Sequence, residues 1–382
     1  MKWNNTFTSQ RVINSNILKN PKILFFVPLP PPVHGAALRN KALVESDVLN
    51  KAFDIILIPF NFAGNLSDIG KFSIKKLIRM ISRAYTIAFK MITIKPDIVY
   101  FNFSVYGLAL YRDFFFIQLF KIFKSKIILH LRTQGVQAQV TSSNFKLWLF
   151  RKTFKGSTVI CLSKQLSKDI EDVYDLPPKI VCNGIEDVYY KYKKNNRNTN
   201  KTILFVSNLS RRKGVLELIE ALQIIKSNSI NFSCLIVGDE WDLKFEQIEE
   251  LLLANSLTKE VSLLGPKYEH EKYGLLADAN IFVLPTHFEA FPGVILEAMQ
   301  FEIPVVSTFE GAIPEIIDDG VTGLLVKKQD AIDLAAKLTT LLEDRQLREI
   351  LGKNGRIKFV DQYTLRSFEE NMIKTFDEIL KG

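Results

Sequence analysis

The chain has 382 residues, 47% apolar and 24% charged, which excludes a disordered polypeptide and exceeds what one hydrophobic core usually organises. Its net charge of +9 is uneven, because residues 1–180 hold 26 Lys+Arg against 10 Asp+Glu while residues 181–382 hold 24 against 31. One half is basic and the other mildly acidic, so the two are expected to meet different partners.

The three cysteines, Cys161, Cys182 and Cys234, are scattered, odd in number and without metal-ligand spacing. They point to a reducing cytoplasm and away from a disulfide scaffold or a zinc site. Residues 3–20 lack the apolar region of a secretory leader, and the longest apolar stretch, 101–120, is interrupted by Arg112 and Asp113. Neither a leader nor a membrane span is expected.

In chain order, runs at 22–27, 53–59, 97–103, 126–130 and 158–162 read as buried strands, and 33–50, 72–93, 107–123 and 163–174 read as helices. This alternation predicts a parallel sheet covered on both faces by helices. The stretch 189–201, rich in Lys and Asn and lacking an apolar period, reads as a linker. A second alternation follows, with strands at 202–207, 232–237, 261–264, 280–285, 304–307 and 323–326. Its helices are expected at 214–226, 243–254, 294–300 and 331–342, then a helical region over 344–380 that breaks near Tyr363. The expected division is 1–188 for an N-terminal Rossmann-like domain, 189–201 for the linker, 202–363 for a C-terminal Rossmann-like domain, and 364–382 for a helix able to pack back on the first. Two such α/β domains in tandem leave a cleft between the carboxyl ends of their strands, where ligands of open sheets bind.

The first strand runs into Pro28-Leu29-Pro30-Pro31-Pro32-Val33-His34-Gly35, a stiff loop in which Gly35 would let backbone approach a ligand; a plain strand–helix connection would look the same. No Gly-x-Gly-x-x-Gly occurs there, which disfavours a nicotinamide dehydrogenase. Over 72–93 an apolar stripe (Ile74, Leu77, Ile78, Ile81, Tyr85, Ala88, Phe89, Ile92) runs beside Lys75, Lys76, Arg79, Arg83 and Lys90. The stripe either packs on the sheet with a solvated basic back, or the basic domain docks on an anionic membrane. His130 ends the fourth strand, before Arg132, Thr133 and Gln134, where a side chain can face the cleft.

In the second half, Ser207-Asn208-Leu209-Ser210-Arg211-Arg212-Lys213-Gly214 places three cations at a helix start, which suits a diphosphate. Lys213 beside Gly214 is the position singled out, since glycine would let the lysine approach the ligand; Arg211 and Arg212 can equally be exposed. Gly265-Pro266-Lys267 could lay backbone against a nucleobase or be a bland turn. The most informative segment is 286–299, where Glu289 and Glu297 stand eight apart around Pro292-Gly293. A strand, a tight turn and a helix start make an anion site, because unpaired amides and the helix dipole point at it. A carboxylate on each side can then bind sugar hydroxyls next to a bound phosphate. The loop 309–315 has the same strand–loop–helix grammar and would wall the cleft.

With these residues assembled, the chain resembles the retaining glycosyltransferases of family 4, group 1 glycosyl transferases of the GT-B fold, most closely over 202–326. The resemblance implies two Rossmann-like domains facing across a cleft. It places Glu289 beside the donor sugar, Glu297 on the ribose hydroxyls, Lys213 on the diphosphate, Gly35 closing on the phosphates and His130 near the transferred sugar. Backbone from Phe291 through Pro292 and Gly293 to Val294 would receive sugar and diphosphate. It implies a nucleotide-sugar donor, UDP more commonly than GDP, and a saccharide or lipid-linked saccharide acceptor, as in bacterial surface polysaccharide biosynthesis. The enzyme would be cytoplasmic, with possible contact at the inner face of the membrane. No Asp-x-Asp occurs, so no metal and no cofactor beyond the donor is expected, and no base-reading module points to nucleic acid.

Three positions depart from the family pattern: its usual Gly-Arg is Ser207-Asn208, its paired first-loop glycines are His34-Gly35, and the glycine after the Glu-x7-Glu helix is Glu302. Asn208 removes a phosphate cation; either Arg211 or Arg212 substitutes for it, or Asn208 contributes a hydrogen bond alone. Competing readings are an epimerase or phosphorylase of the same architecture, and a non-catalytic partner that binds a nucleotide sugar. Four histidines in the whole chain suit an epimerase poorly, and a phosphorylase of the pyridoxal type would be longer.

Overall fold

The computed structural model describes residues 20–31, 35–60, 74–193 and 201–382, apart from the side chains of 74–79. Pro32, Val33, His34 and residues 194–200 of the expected linker lie outside that set. The first half builds β1 (Lys22–Val27), α1 (Gly35–Val44), α2 (Asp47–Ala52), β2 (Asp54–Pro59), α3 (Ile74–Ile94), β3 (Ile98–Phe103) and α4 (Gly107–Ile122). It continues with β4 (Lys126–Leu131), α5 (Val136–Thr141), α6 (Asn144–Phe154), β5 (Thr158–Cys161), α7 (Lys164–Ser167), β6 (Lys179–Ile180) and α8 (Tyr189–Tyr192).

The second half builds β7 (Thr202–Val206), α9 (Val215–Ser227), β8 (Ser233–Val237), α10 (Phe245–Ala254), β9 (Val261–Leu263), α11 (Glu269–Asp278) and β10 (Ile281–Leu284). Then come α12 (Gly293–Gln300), β11 (Val305–Thr308), α13 (Ile313–Ile316), β12 (Gly323–Val326), α14 (Ala331–Glu343), α15 (Arg345–Gln362) and α16 (Leu365–Lys381).

Both sheets are six-stranded and parallel, in the orders β2-β1-β3-β4-β5-β6 and β12-β11-β10-β7-β8-β9. This is the GT-B architecture. Strands covered on both faces need apolar side chains in both directions, which is why Lys22–Val27 reads as a continuous run. Leu24 and Phe26 join a core under α4 and α6, while Ile23, Phe25 and Val27 join one on the opposite face. In that second core Phe368, Met372 and Phe376 of α16 pack on the first domain, and Phe376 stands edge-on to Phe25, Phe53 and Tyr100.

The chain crosses between domains at Asn183–Ile185 and returns at Thr364. Ile185 and Thr364 pair there, and a side chain on Gly184 would run into the Thr364 carbonyl. Tyr189, expected in the linker, is buried in the second domain's core, and its hydroxyl donates to Glu302 at 2.7 Å.

Several elements differ from expectation. The helix expected over 33–50 is two, because Ser46 caps a new start by accepting from the Leu49 amide at 3.2 Å. The helix over 163–174 is one α-turn and one 3-10 turn. Helices α5, α6, α11 and α13 were not expected. Of the apolar stripe expected on α3, the described residues Ile81, Tyr85, Phe89 and Ile92 face solvent, while Ile87 and Met91 face the core; the side chains of Ile74, Leu77 and Ile78 lie outside the described set. Glu302, where the family has glycine, adopts the left-handed φ of 57° that glycine favours.

Candidate active site

At the carboxyl end of β7 the chain turns through Arg211–Lys213 into α9, with Gly214 at φ 76°. A side chain on Gly214 would strike the Pro285 carbonyl, so this glycine serves a backbone contact between two turns rather than ligand approach. The contact locks the 286–292 loop beneath the basic turn. The Arg212 carbonyl accepts from the His287 amide at 2.8 Å and from Thr286 Oγ1 at 3.0 Å. From the other side Gly311 leaves no room for a Cβ against the Glu289 carbonyl, and Ala312 N–H donates to the Ala290 carbonyl at 2.8 Å.

The result is a direct ion pair between Lys213 Nζ and Glu289 Oε2, both half-buried. Pro292 caps α12, and Gly293 and Val294 supply its first amides, which have no acceptor within the helix. Phe291 is buried edge-on against Tyr363 and anchors the turn. One turn into α12, Glu297 Oε1 accepts from Lys272 Nζ of α11 at 2.8 Å. Glu297 Oε2 is buried with no hydrogen-bond partner among the described residues. The nearby Tyr273 phenol is pushed up to about 12, by burial and then by the Glu297 charge.

Residues 190–358 match the profile of the glycosyl transferases group 1. That match spans most of the second domain. The chain is 31% identical over 201 residues to the capsular polysaccharide biosynthesis glycosyltransferase CapM of Staphylococcus aureus, covering 52% of this chain and 50% of that protein. The chain thus spans about half the length of this relative. Its fold superposes on sucrose-phosphate synthase of Thermosynechococcus elongatus with a TM-score of 0.74 at 20% identity, covering 95% of this chain and 100% of that one. Anabaena HepE, solved with UDP and glucose, gives a TM-score of 0.68 at 18% identity, covering 94% and 100%.

In this domain Lys213 pairs with Glu289, and Phe291, Pro292, Gly293, Val294 and Glu297 follow in the turn and helix α12 beyond it. Gly265 has φ 67° and open space where a Cβ would be, its carbonyl accepting from Gly238 N–H at 3.1 Å. Asn208 is exposed. Arg211 N–H donates to Asp242 at 3.1 Å, and the Arg212 guanidinium lies 5.6 Å from the Phe288 ring. Neither contact carries an arginine to the start of α12.

That place is taken by Arg39 of α1, a residue the motifs did not single out. Its Nη2 lies 3.8 Å from where a Gly293 Cβ would be, and its Nη1 donates to the Gly184 carbonyl at 2.6 Å. Burial and then the neighbouring Arg132 lower its pKa, while Glu297 opposes this. A cation on the second turn of α1 carries no signature in sequence, because only domain packing sets it across from α12. Gly35 opens α1, exposed and with nothing within 4 Å of a Cβ position. His34 falls outside the described residues.

His130 is fully buried instead of facing the cleft. Its Nδ1 bonds to the Tyr100 hydroxyl at 2.7 Å, and its Nε2 has no partner among the described residues. Burial, then Arg132, holds its pKa well below the usual histidine value, so the ring is neutral. The polar group that reaches outward from this strand end is Arg132, which donates to Tyr100 at 3.2 Å and Asn183 at 2.5 Å.

Between the domains lies a cavity of about 600 Å³ lined by Tyr106, Gln134, Asp169, His287, Phe288 and Glu310, among others. Gln134 donates to Glu310 across it at 2.7 Å, so the 309–315 loop does wall the cleft. Asp169 accepts from the amides of Gly135, Val136 and Gln137 at 2.6–3.0 Å, which occupies the start of α5 with a carboxylate of the chain itself.

Proposed function

We propose that the chain is a retaining glycosyltransferase that moves a sugar from a nucleotide-sugar donor to a saccharide acceptor in surface polysaccharide assembly. One observation carries the reading: Lys213 pairs with Glu289 ahead of α12, and Arg39 reaches the start of that helix, which carries Glu297, from the other domain. Cleavage of the anomeric C–O bond leaves negative charge on the diphosphate and positive charge on the sugar ring. Lys213, Arg39 and the amides of α12 are arranged for the first, and Glu289 for the second. Arg39 would then supply the cation that Asn208 lacks.

The Lys213 ammonium is held by Glu289. A diphosphate would draw that ammonium to itself and leave the carboxylate facing the sugar. Glu297 Oε2, buried and unpaired, would accept from the ribose hydroxyls while Lys272 holds Oε1 in place. In a front-face displacement the acceptor oxygen bonds to the anomeric carbon on the side the diphosphate leaves, and the departing phosphate oxygen takes the acceptor's proton. No protein nucleophile is required, and the reading includes no metal or cofactor beyond the donor. The neutral, buried His130 would shape the sugar pocket through Tyr100 and Arg132.

A uridine donor is favoured, since the fold neighbour HepE was solved with UDP, and CapM belongs by name to capsule synthesis. The 600 Å³ cavity beside Phe288 has room for one or two sugar rings of the acceptor, free or lipid-linked. The test is thermal unfolding against a panel of UDP- and GDP-sugars. A donor at 100 times its dissociation constant adds about 2.7 kcal/mol, so the correct one stands out. A panel in which none stabilises the chain sinks the proposal.

A further inference from the structure

We infer that the first domain docks on an anionic lipid bilayer through the outward face of α3, α4 and α6. Helix α3 carries two apolar stripes. Met80, Ala84, Ile87 and Met91 pack on the core, while Ile81, Tyr85, Phe89 and Ile92, spaced by three or four, stand 62%, 75%, 59% and 62% exposed. A helix that needed only to cover the sheet would have polar residues in the second stripe.

The neighbouring helices repeat the feature. α4 packs against both α3 and α6. Opposite its buried face it exposes Tyr111, Phe115 and Ile122, the last at 72%. Tyr111 stacks on Phe145 of α6 at 6.4 Å between centroids, and Phe145 on Trp148 at 5.9 Å; both α6 residues are at least half exposed. Exposed Tyr, Trp, Phe and Ile across three packed helices exceed the scattered apolar residues of an ordinary surface.

Charge selects the occupant. Residues 69–168 contain 18 Lys+Arg and two acids, Asp97 and Asp113. Asp113 is buried and neutralises Arg112, and Asp97 accepts from the Lys22 amide, so the two acids offset only a small part of the basic charge. Lys152 lies 5.0 Å from the Trp148 ring, and Lys121 ties α4 to α6 by donating to the Lys152 and Thr153 carbonyls. A second copy would set like charges face to face. An anionic bilayer takes both components, with aromatics at headgroup depth and lysines on lipid phosphates. No helix among the described residues is long and apolar enough to cross a membrane, so the domain would lie on the surface.

The geometry joins this face to the cleft. Tyr106, which lines the interdomain cavity, immediately precedes α4, and Gln137 to Ser142 of the same cavity lead into α6. Resting on the transferase reading, this would let a lipid-carried acceptor enter from the bilayer.

The test is co-sedimentation of the full chain with mixed phosphatidylglycerol–phosphatidylcholine vesicles and with phosphatidylcholine alone. Binding is expected only to the anionic vesicles, with release at high salt. The combined variant Tyr85→Ser/Phe89→Ser/Trp148→Ser alters outward side chains only, and is expected to lower partitioning at least about tenfold. Its circular dichroism and its thermal shift with a nucleotide sugar should be unchanged. Absence of sedimentation at low salt overturns the inference, as does equal binding by the variant. So does a dimer in light scattering that the variant converts to monomer, which would make the face a self-interface. The donor thermal shift is read separately, so failure here and failure of the transferase reading are distinguishable.

Discussion

Replacing Lys213 by Met leaves the Glu289 carboxylate without its cation, and replacing Glu289 by Gln does the reverse. Their side chains are 26% and 20% exposed, between a surface bridge and a dry one. Exposed pairs contribute ~0–1 kcal/mol, and breaking a fully buried pair costs ~3–5 kcal/mol. Each single substitution should therefore cost about 1.5–2 kcal/mol, or roughly 3–8 °C in the transition of the second domain. The double variant leaves no unpaired charge, so its loss should fall short of the sum by about 1 kcal/mol. Thermal and denaturant unfolding of the four proteins close the cycle. Binding then separates the roles. Lys213→Met should weaken UDP by about 10- to 100-fold, as expected for one charge-assisted contact. Glu289→Gln should leave UDP affinity within about threefold yet reduce transfer by about 100- to 1000-fold. Additive stabilities would refute the pair, and parallel losses of UDP affinity in both single variants would refute the division of labour.

Arg39→Ala should weaken nucleotide-sugar binding by about tenfold or more, with Asn208→Arg in the same chain recovering part of it; calorimetric titration with UDP reads both, and unchanged affinity in Arg39→Ala removes this residue from the site. Phe376→Ala should cost about 3–5 kcal/mol, because the ring fills the space between Phe25, Phe53 and Tyr100; a denaturation midpoint within error of the parent would show that α16 does not hold the first domain. His130 has a folded pKa depressed by burial and by Arg132. The native state therefore binds fewer protons than the unfolded one between the two values. The stability it contributes is complete above the unfolded value of about 6.5 and is lost as pH falls from there towards the folded value. His130→Gln should flatten the decline in denaturation midpoint between about pH 7 and about pH 5, and an unaltered slope would contradict the shift.

Much of the architecture was legible because α/β domains write it locally. Each of the eleven longer strands lies on an apolar run, and the helices that follow β1, β7 and β10 begin where the glycines Gly35, Gly214 and Gly293 suggest. The short helices α5, α11 and α13 left little periodic signal. Glu289 and Glu297 stand in one strand–turn–helix segment and Lys213 in a separate turn of the same grammar, so each could be singled out from the chain. Arg39 and Lys272 could not, since each stands inside a helix, away from any turn motif, and only packing sets it beside α12. Gly214 was misread for a related reason: a Lys-Gly turn looks the same whether the glycine makes room for ligand or for the Pro285 carbonyl.

The sequence by itself determined two parallel α/β units, the order of their strands along the chain, and the strand–turn–helix segment that sets Glu289 before α12 and Glu297 within it. These follow from residue spacing and turn chemistry, which act over a few residues. Tertiary structure alone decided which cation stands at the start of α12, that His130 is enclosed, and which face of α3 meets water. Each depends on contacts between segments far apart in the chain. In α3 both stripes are apolar, and periodicity cannot rank them; the sheet takes the side whose Ile87 and Met91 fit its core and leaves the Tyr85 side exposed.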